Sequence, residues 1–492
     1  MAQEHQGRLA TVRPLGRALG RALGIGAAML LAGCAVPNAG TVAARVNWPS
    51  YLYSPQHTSV SPATAVTAAN AGSLARVWRW KPSDPAGTPG DDLISSPTVV
   101  NGVVYIGADN GVFYALNEAT GTVKWKDTIG FVTHHTCDAL GFASTAAVAP
   151  DPVTGTETVY VNAPNGYLYA LNAATGATIW KAVVDRPSTT KNDYFAWSSP
   201  TVANGRIYLG ISSECDVPLV RAGLLAFRQH TGAKIATFYT VPAGSVGGSI
   251  WSSAAVAPSG TVYVTTGNGP TSDELLGTSE AIAALNGTTL ALIGSWQIAA
   301  HVVADDSDFG GSPTLFTATL APSVKPTEMV GACNKNGYYY ALARDDLLAG
   351  PVWSLQVGAV SNSTNNDECI SAAVWNGNDL FIAGPPTSID GTAYNGSLRE
   401  VNPANGQIIW ATGLPGDVDG SPAMDASGVL SVATYDFSGA PNADYLVSAR
   451  TGDILATLST NNSPEFPQPV YADRYLMLAT NDAGLIVYRA PG

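Results

Sequence analysis

The sequence predicts an all-β protein, an eight-bladed β-propeller whose ring is closed by an N-terminal strand in the last blade. Three observations carry this. One unit of short apolar strands recurs eight times after residue 95, its last copy lacks a final strand, and a spare strand stands ahead of the first copy. Composition agrees with a large packed body: 12% of the 492 residues are charged and 46% are hydrophobic, with 51 glycines. An average soluble domain is roughly a quarter charged. Charge this sparse excludes coiled coils and acidic disordered tails. The net charge of -13, with no Lys/Arg cluster in the body of the chain, repels a phosphate backbone, so nucleic acid is not expected as a partner.

Each unit opens on small residues and Pro, runs through two strands, turns at Thr-Gly and closes on a third strand ending in an aromatic residue. The clearest copy runs Ser95-Ser96-Pro97-Thr98, Gly102-Val103-Val104-Tyr105, Gly111-Val112-Phe113-Tyr114, Thr120-Gly121 and Trp125. The opening returns at Ser144, Ser198, Ser252, Gly311, Ser371, Ser421 and Pro467. Closing positions are assigned to Trp125, Trp180, Phe238, Trp296, Trp353, Trp410 and Leu458, and the strand Leu74 to Trp80 supplies the one missing from the eighth copy. Closure by that strand leaves no open sheet edge. Gly suits the Thr-Gly turns because it accepts positive φ, and small residues suit the crowded axis. Blades three to six are the longest, which implies loops built up on one face of the ring.

Residues 1–33 read as a lipoprotein signal peptide: Arg8, Arg13, Arg17 and Arg21 precede the apolar stretch Ala22 to Gly33, too short for a permanent membrane span. The stretch closes on Leu31-Ala32-Gly33-Cys34, similar to the bacterial lipobox, which makes Cys34 the expected lipidation site. Residues 34–72 are then a lipidated linker and lead-in, and residues 73–492 a single propeller. The expected location is extracytoplasmic, in the cell envelope of a bacterium, with the membrane contacted through the lipid anchor only. In that oxidising compartment Cys137, Cys215, Cys333 and Cys369 favour two disulfides over metal ligation. Four cysteines allow three connectivities; Cys137–Cys215 and Cys333–Cys369 each join neighbouring repeats and are preferred.

Units ending in A-L-x-x-x-T-G-x-x-x-W resemble the quinoprotein repeat of dehydrogenases that use pyrroloquinoline quinone, and of related cofactor-free propellers. Five stretches on the long blades also resemble cofactor-binding segments of quinoprotein alcohol dehydrogenases. Gly210-Ile211-Ser212-Ser213-Glu214 is similar to the segment carrying the calcium-binding glutamate, which implies Glu214. Gly247-Gly248-Ser249-Ile250-Trp251 is similar to the stretch whose tryptophan stacks on the quinone, which implies Trp251. Thr266-Gly267-Asn268 is similar to the family's T-G-N, with Asn268 coordinating calcium. Asp305-Asp306-Ser307-Asp308-Phe309-Gly310 resembles the loop of the catalytic aspartate, which implies Asp308 as base and further calcium ligand. Lys335-Asn336-Gly337-Tyr338 resembles the strand whose basic residue contacts the quinone oxygens, which implies Lys335.

The roles agree with chemistry. Calcium takes several hard oxygen ligands, a carboxylate accepts the alcohol proton, and an aromatic face buries a flat ring. The family's lanthanide-using members carry a second acid two residues beyond the base. Gly310 stands there if Asp308 is the base, which implies calcium; if Asp306 is the base, Asp308 becomes the second acid and the inference reverses. One departure is evident: the vicinal disulfide of those enzymes has a single cysteine, Cys137, in its place. The resemblance implies a monomeric dehydrogenase dependent on pyrroloquinoline quinone and calcium. It would oxidise an alcohol and pass electrons to a separate acceptor, since no haem-attachment motif is present. Asp308-Phe309-Gly310-Gly311-Ser312-Pro313 resembles the acidic loop of polyvinyl alcohol dehydrogenases, so the alcohol is polymeric or secondary. The alternative is a cofactor-free envelope scaffold of the outer-membrane assembly-factor kind.

Overall fold

The computed structural model describes residues 45–82, 92–132, 141–188, 193–270, 276–299, 306–359 and 368–491. The leader, Cys34, Cys137 and Asp305 lie outside the described residues. Among the described residues eight sheets form the ring, each built on four antiparallel strands, with a fifth strand added in blades 3 and 7. Blade 1 runs outward through Thr98–Val100, Val103–Gly107, Val112–Asn117 and Val123–Thr128. In blade 8, Val470–Ala472, Tyr475–Thr480 and Gly484–Arg489 are completed by Ala75–Trp80, paired antiparallel to the last of them. Blade 6 carries an extra hairpin, Thr387–Ile389 with Thr392–Tyr394.

The core lies between blades. Tyr105, Phe113 and Ala115 of blade 1 pack on Val148, Val159 and Leu171 of blade 2, and comparable clusters join the following pairs. Two recurrent contacts explain the repeat. At the axis, the backbone N–H of Ser96, Thr145, Ser199 and Ser253 donates to the hydroxyl of Thr145, Ser199, Ser253 and Ser312 respectively, at 2.9–3.0 Å. The opening hydroxyl of one blade thus satisfies a buried donor of the blade before it. At the periphery, the Thr-Gly turns before the outer strands of blades 1, 2, 3 and 7 each receive a tryptophan from the preceding blade. A Cβ on Gly121 would come within 2.6 Å of Trp78, and one on Gly452 within 2.6 Å of Trp410. The indoles of Trp78, Trp125, Trp353 and Trp410 donate to backbone carbonyls of the next blade at 2.9–3.1 Å.

The strand register corrects four of the closing positions. The residue paired opposite the strand bulge is Trp78 rather than Trp80, Ala236 rather than Phe238, Gly294 rather than Trp296 and Ala456 rather than Leu458. Residues two apart share a strand face, so the apolar pattern tolerated a shift of two. Trp80 packs edge-on against Tyr114 instead, ring centroids 4.7 Å apart.

Residues 46–61, placed by the sequence in the lead-in, are built into the ring. Backbone carbonyls of Trp48, Pro49, Pro55, Gln56, Thr58 and Ser59 accept N–H groups from Val99, Val148, Val256, Leu315, Trp375 and Met424, one on each of six blades. Val60–Ser61 then adds in parallel to the inner edge of blade 7. The winding strap takes positive φ at Leu52, Tyr53, His57 and Ser59.

Candidate functional site

The inner-strand lead-ins and turns of blades 3 to 6 bring together residues far apart in sequence. Lys335 follows the strand Pro326–Asn334, and its backbone N–H donates to the Asp308 carbonyl at 2.9 Å. Its Nζ donates to Asp306 Oδ2 at 2.9 Å, lies 3.0 Å from Glu368 Oε1 and 3.7 Å from Asp308 Oδ2, and stands 5.4 Å from the centre of the Trp251 ring. Asn268 is the second hub: its Nδ2 donates to Asp216 Oδ2 at 3.0 Å and Asp306 Oδ1 at 2.9 Å, and its Oδ1 accepts the Ser307 N–H at 3.1 Å. The Asn268 backbone N–H donates to Asp308 Oδ1. Thr266-Gly267-Asn268 is more than a turn, because a Cβ on Gly267 would lie 2.5 Å from Asp308 Oδ1.

The structure therefore brings Asn268, Asp308 and Lys335 together, with the Trp251 ring beside Lys335. Glu214 is buried at the end of the strand Arg206–Ser213, its carbonyl accepting the Trp197 indole N–H at 2.8 Å. Its neighbour Ser213 donates to Asp216 and lies 2.9 Å from Ser249 Oγ. Arg221 stacks on Tyr239 at 3.7 Å and donates to the Val241 carbonyl. Sequence reasoning missed Asp216 and Glu368. Each had a signal: Asp216 stands two residues beyond Glu214, and Glu368 adjoins Cys369. The Cys333–Cys369 disulfide, with Cα atoms 5.3 Å apart, carries Glu368 to Lys335, two residues beyond Cys333. Cys215 is also disulfide-bonded, while Cys137, its expected partner, lies outside the described residues.

Three carboxylates, Asp306, Asp308 and Glu368, surround one ammonium, and a fourth, Asp216, joins the cluster through Asn268. Burial pushes the Asp308 carboxyl well above the usual carboxylate range, Asp216 and Asp306 add to the push, and Lys335 and the Asn268 N–H oppose it. Burial would raise Asp306 as well, but Lys335 and Asn268 hold it below its ordinary value. Burial raises Glu368 against the opposing pull of Lys335. Burial disfavours the charge on Lys335, yet Glu368, Asp308 and Asp306 lift its pKa above that of a free lysine. The two loop aspartates differ in access: the Asp306 side chain is 32% exposed and that of Asp308 7%.

Such unbalanced negative charge suits a hard cation in its donor chemistry. Among the described residues, however, no three His, Cys, Asp or Glu side chains are arranged around one point as ligands. For a flat cofactor the fit rests on Trp251. Its buried Nε1 has no hydrogen-bond partner among the described residues, and its ring lies against Gly310, where a Cβ would come within 2.4 Å of Cζ2. Trp251 also bounds a small axial cavity of about 60 Å³ whose wall includes Tyr51 of the strap.

Known proteins share this sequence pattern. Quinohemoprotein alcohol dehydrogenase ADH-IIG of Pseudomonas putida is 26% identical over 333 residues, 61% of this chain and 44% of the relative. Polyvinylalcohol dehydrogenase of Pseudomonas sp is 27% identical over 242 residues, 44% of this chain and 35% of the relative. The chain thus spans less than half the length of these curated relatives. The solved structure of quinohemoprotein alcohol dehydrogenase ADHIIG from Pseudomonas putida HK5 superposes with a TM-score of 0.72 at 19% identity, covering 90% of this chain and 80% of that one. BamB from Moraxella catarrhalis gives 0.53 at 13% identity, covering 85% and 99%. Both likenesses speak for the propeller fold. The sequence match to the PQQ family described as "Glucose/ethanol/alcohol dehydrogenase, beta-propeller domain" runs over residues 48–374 and takes in Glu214, Trp251, Asn268, Asp308 and Lys335; the chain belongs to that family.

Proposed function

We propose that this protein is an alcohol dehydrogenase that holds pyrroloquinoline quinone and a hard cation, calcium first among them, at the Trp251–Lys335–Asn268 cluster. Electrons would pass to a separate acceptor. The observation that carries the reading is the single ammonium of Lys335 among three carboxylates, set beside the Trp251 ring. When bound, the quinone supplies the two-electron oxidant and the cation its Lewis acidity. The chain supplies the rest. Trp251 offers an aromatic face and an N–H without an acceptor among the described residues, and Lys335 offers a charged donor for cofactor oxygens. Glu214, Asn268 and Asp308 supply oxygens for the cation.

Two acids compete for the proton of the alcohol. Asp308 is the residue implied by resemblance, but its carboxyl is buried, clamped by the Asn268 N–H and drawn toward its protonated form. Asp306 is ionised by its pairing with Lys335 and open to solvent, so access and charge favour Asp306 as the base. With that register Asp308 is the acid two residues beyond, and a trivalent lanthanide joins calcium as a cation to test. The likeness to polyvinylalcohol dehydrogenase supports a polymeric or secondary alcohol as substrate. The leader and Cys34 support residence in the cell envelope.

The test is reconstitution of the purified chain with quinone and either cation, followed by dialysis and dye reduction with primary, secondary and polymeric alcohols. Retained quinone and alcohol-dependent reduction are expected, with Asp306→Asn slowing turnover by about 10²–10⁴-fold. If Asp306→Asn keeps its rate while Asp308→Asn abolishes it, the base is Asp308. Failure to retain quinone with either cation would leave the scaffold reading in its place.

A further inference from the structure

On the flank of the ring, away from the axis, blade 6 holds a cavity of about 750 Å³ that shares no lining residue with the quinone cluster. Its roof is the extra hairpin, Thr387–Ile389 with Thr392–Tyr394. Two contacts hold the roof in place: the Pro386 carbonyl accepts the Ala359 N–H at 2.8 Å, and Tyr394 fills the space where Gly413 has no Cβ, at 2.2 Å. The floor is the outer strand Ile408–Leu414, where Ile408 and Ile409 remain 42% and 57% exposed.

In the wall sits Arg399, 3% exposed. Its Nη1 donates to Ser397 Oγ at 2.5 Å and its Nη2 to Thr387 Oγ1 at 2.9 Å. Two neutral hydroxyls are its partners, and no carboxylate among the described residues is paired with it. A guanidinium has five N–H donors, so three remain. Burial without a counter-ion disfavours the charge and pulls the Arg399 pKa down to about 10. A buried cation beside an open cavity is a ready anion site, because a bound carboxylate would supply the missing counter-charge to a planar fork that matches it. One guanidinium next to isoleucine side chains suits a singly charged head with an apolar body better than a multiply charged phosphate. The exposed Asp390 at the hairpin tip also lines the cavity and disfavours a second negative charge.

We propose that this cavity binds an organic monocarboxylate, its head on Arg399 and Thr387 and its chain along Ile408 and Ile409. The site is independent of the quinone reading, since neither cofactor nor turnover is needed to observe it. The probes for calorimetric titration of the full chain are octanoate, the neutral isostere octanamide, acetate and inorganic phosphate. Octanoate is expected to bind about tenfold or more tightly than any of the others. Arg399→Met should weaken octanoate about tenfold or more and leave octanamide unchanged. Should Arg399→Met not fold, Ile409→Glu decides: it sets a carboxylate on an exposed floor position and should likewise weaken octanoate. Equal binding of octanoate and octanamide, binding unchanged in the folded variants, or no octanoate binding would each overturn the proposal. Phosphate binding as tightly as octanoate would overturn the carboxylate assignment.

Discussion

Lys335 shows how much one buried charge can organise. Its ammonium is flanked by Asp306 and Glu368 at 2.9 and 3.0 Å, so Lys335→Met would strand two carboxylates. A loss of about 3–5 kcal/mol in stability is expected, read as a lowered urea midpoint; an unchanged midpoint would mean water already screens the pair. Gly310→Ala would press a methyl group into Trp251 and Ile370. Weakened quinone retention with little change in the far-ultraviolet circular dichroism is the expected outcome. Elsewhere, burial pushes the carboxyls of Asp425 and Asp444 up to about 7. An unfolded aspartate titrates near 3.9, so between about 4 and 7 the folded chain keeps protons that the unfolded chain has released. Stability contributed by these groups is full below about 4 and is lost as pH rises through about 7. Melting temperature should fall across that window, and Asp444→Asn should flatten the fall; an identical profile in the variant would assign it to other groups. At this scale the sequence carried residue types well. It identified Lys335, Asn268 and Trp251, but not that Asp216 faces Asn268, because hydrogen-bond partners across blades have no fixed spacing along the chain.

The strand and its turn are the elements that make the ring repeat. The Thr-Gly turns that precede outer strands combine a positive φ with a tryptophan packed where a side chain would begin, as at Gly452, with φ +74 and Trp410 at 2.6 Å. Gly452→Ala therefore meets backbone strain and overpacking together and should cost about 1–3 kcal/mol, measured by urea denaturation. The same substitution at Gly205, with φ +71 and open space around it, isolates the backbone part. If both variants lose equally, the tryptophan contact adds nothing. The number of units, their order and the closing role of Ala75–Trp80 were legible because turn residues and apolar runs alternate regularly, whereas the short inner strand that makes each blade four-stranded was read as part of the opening. The closing positions were legible only to within two residues, since alternation marks a face and not a register.

Across the whole molecule the strap is the unforeseen part. Its carbonyls occupy inner-strand N–H groups on six blades, so it ties together sheets that otherwise touch only their neighbours. Deleting residues 45–61 would leave the N–H donors of Val99, Val148, Val256, Leu315, Trp375 and Met424 without these partners, at about 1–3 kcal/mol for each that stays buried. A large drop in the unfolding midpoint is expected, and a deletion variant as stable as the full chain would show that the blades hold the ring alone. The sequence by itself determined the eight units, the closing strand and the residue types of the candidate site, because local alternation, turn chemistry and side-chain class are written along the chain. The tertiary structure decided which acids share Lys335, which aspartate is open, where the strap runs and that Arg399 is buried beside a cavity. Those depend on distances between blades, which no periodicity along the chain encodes.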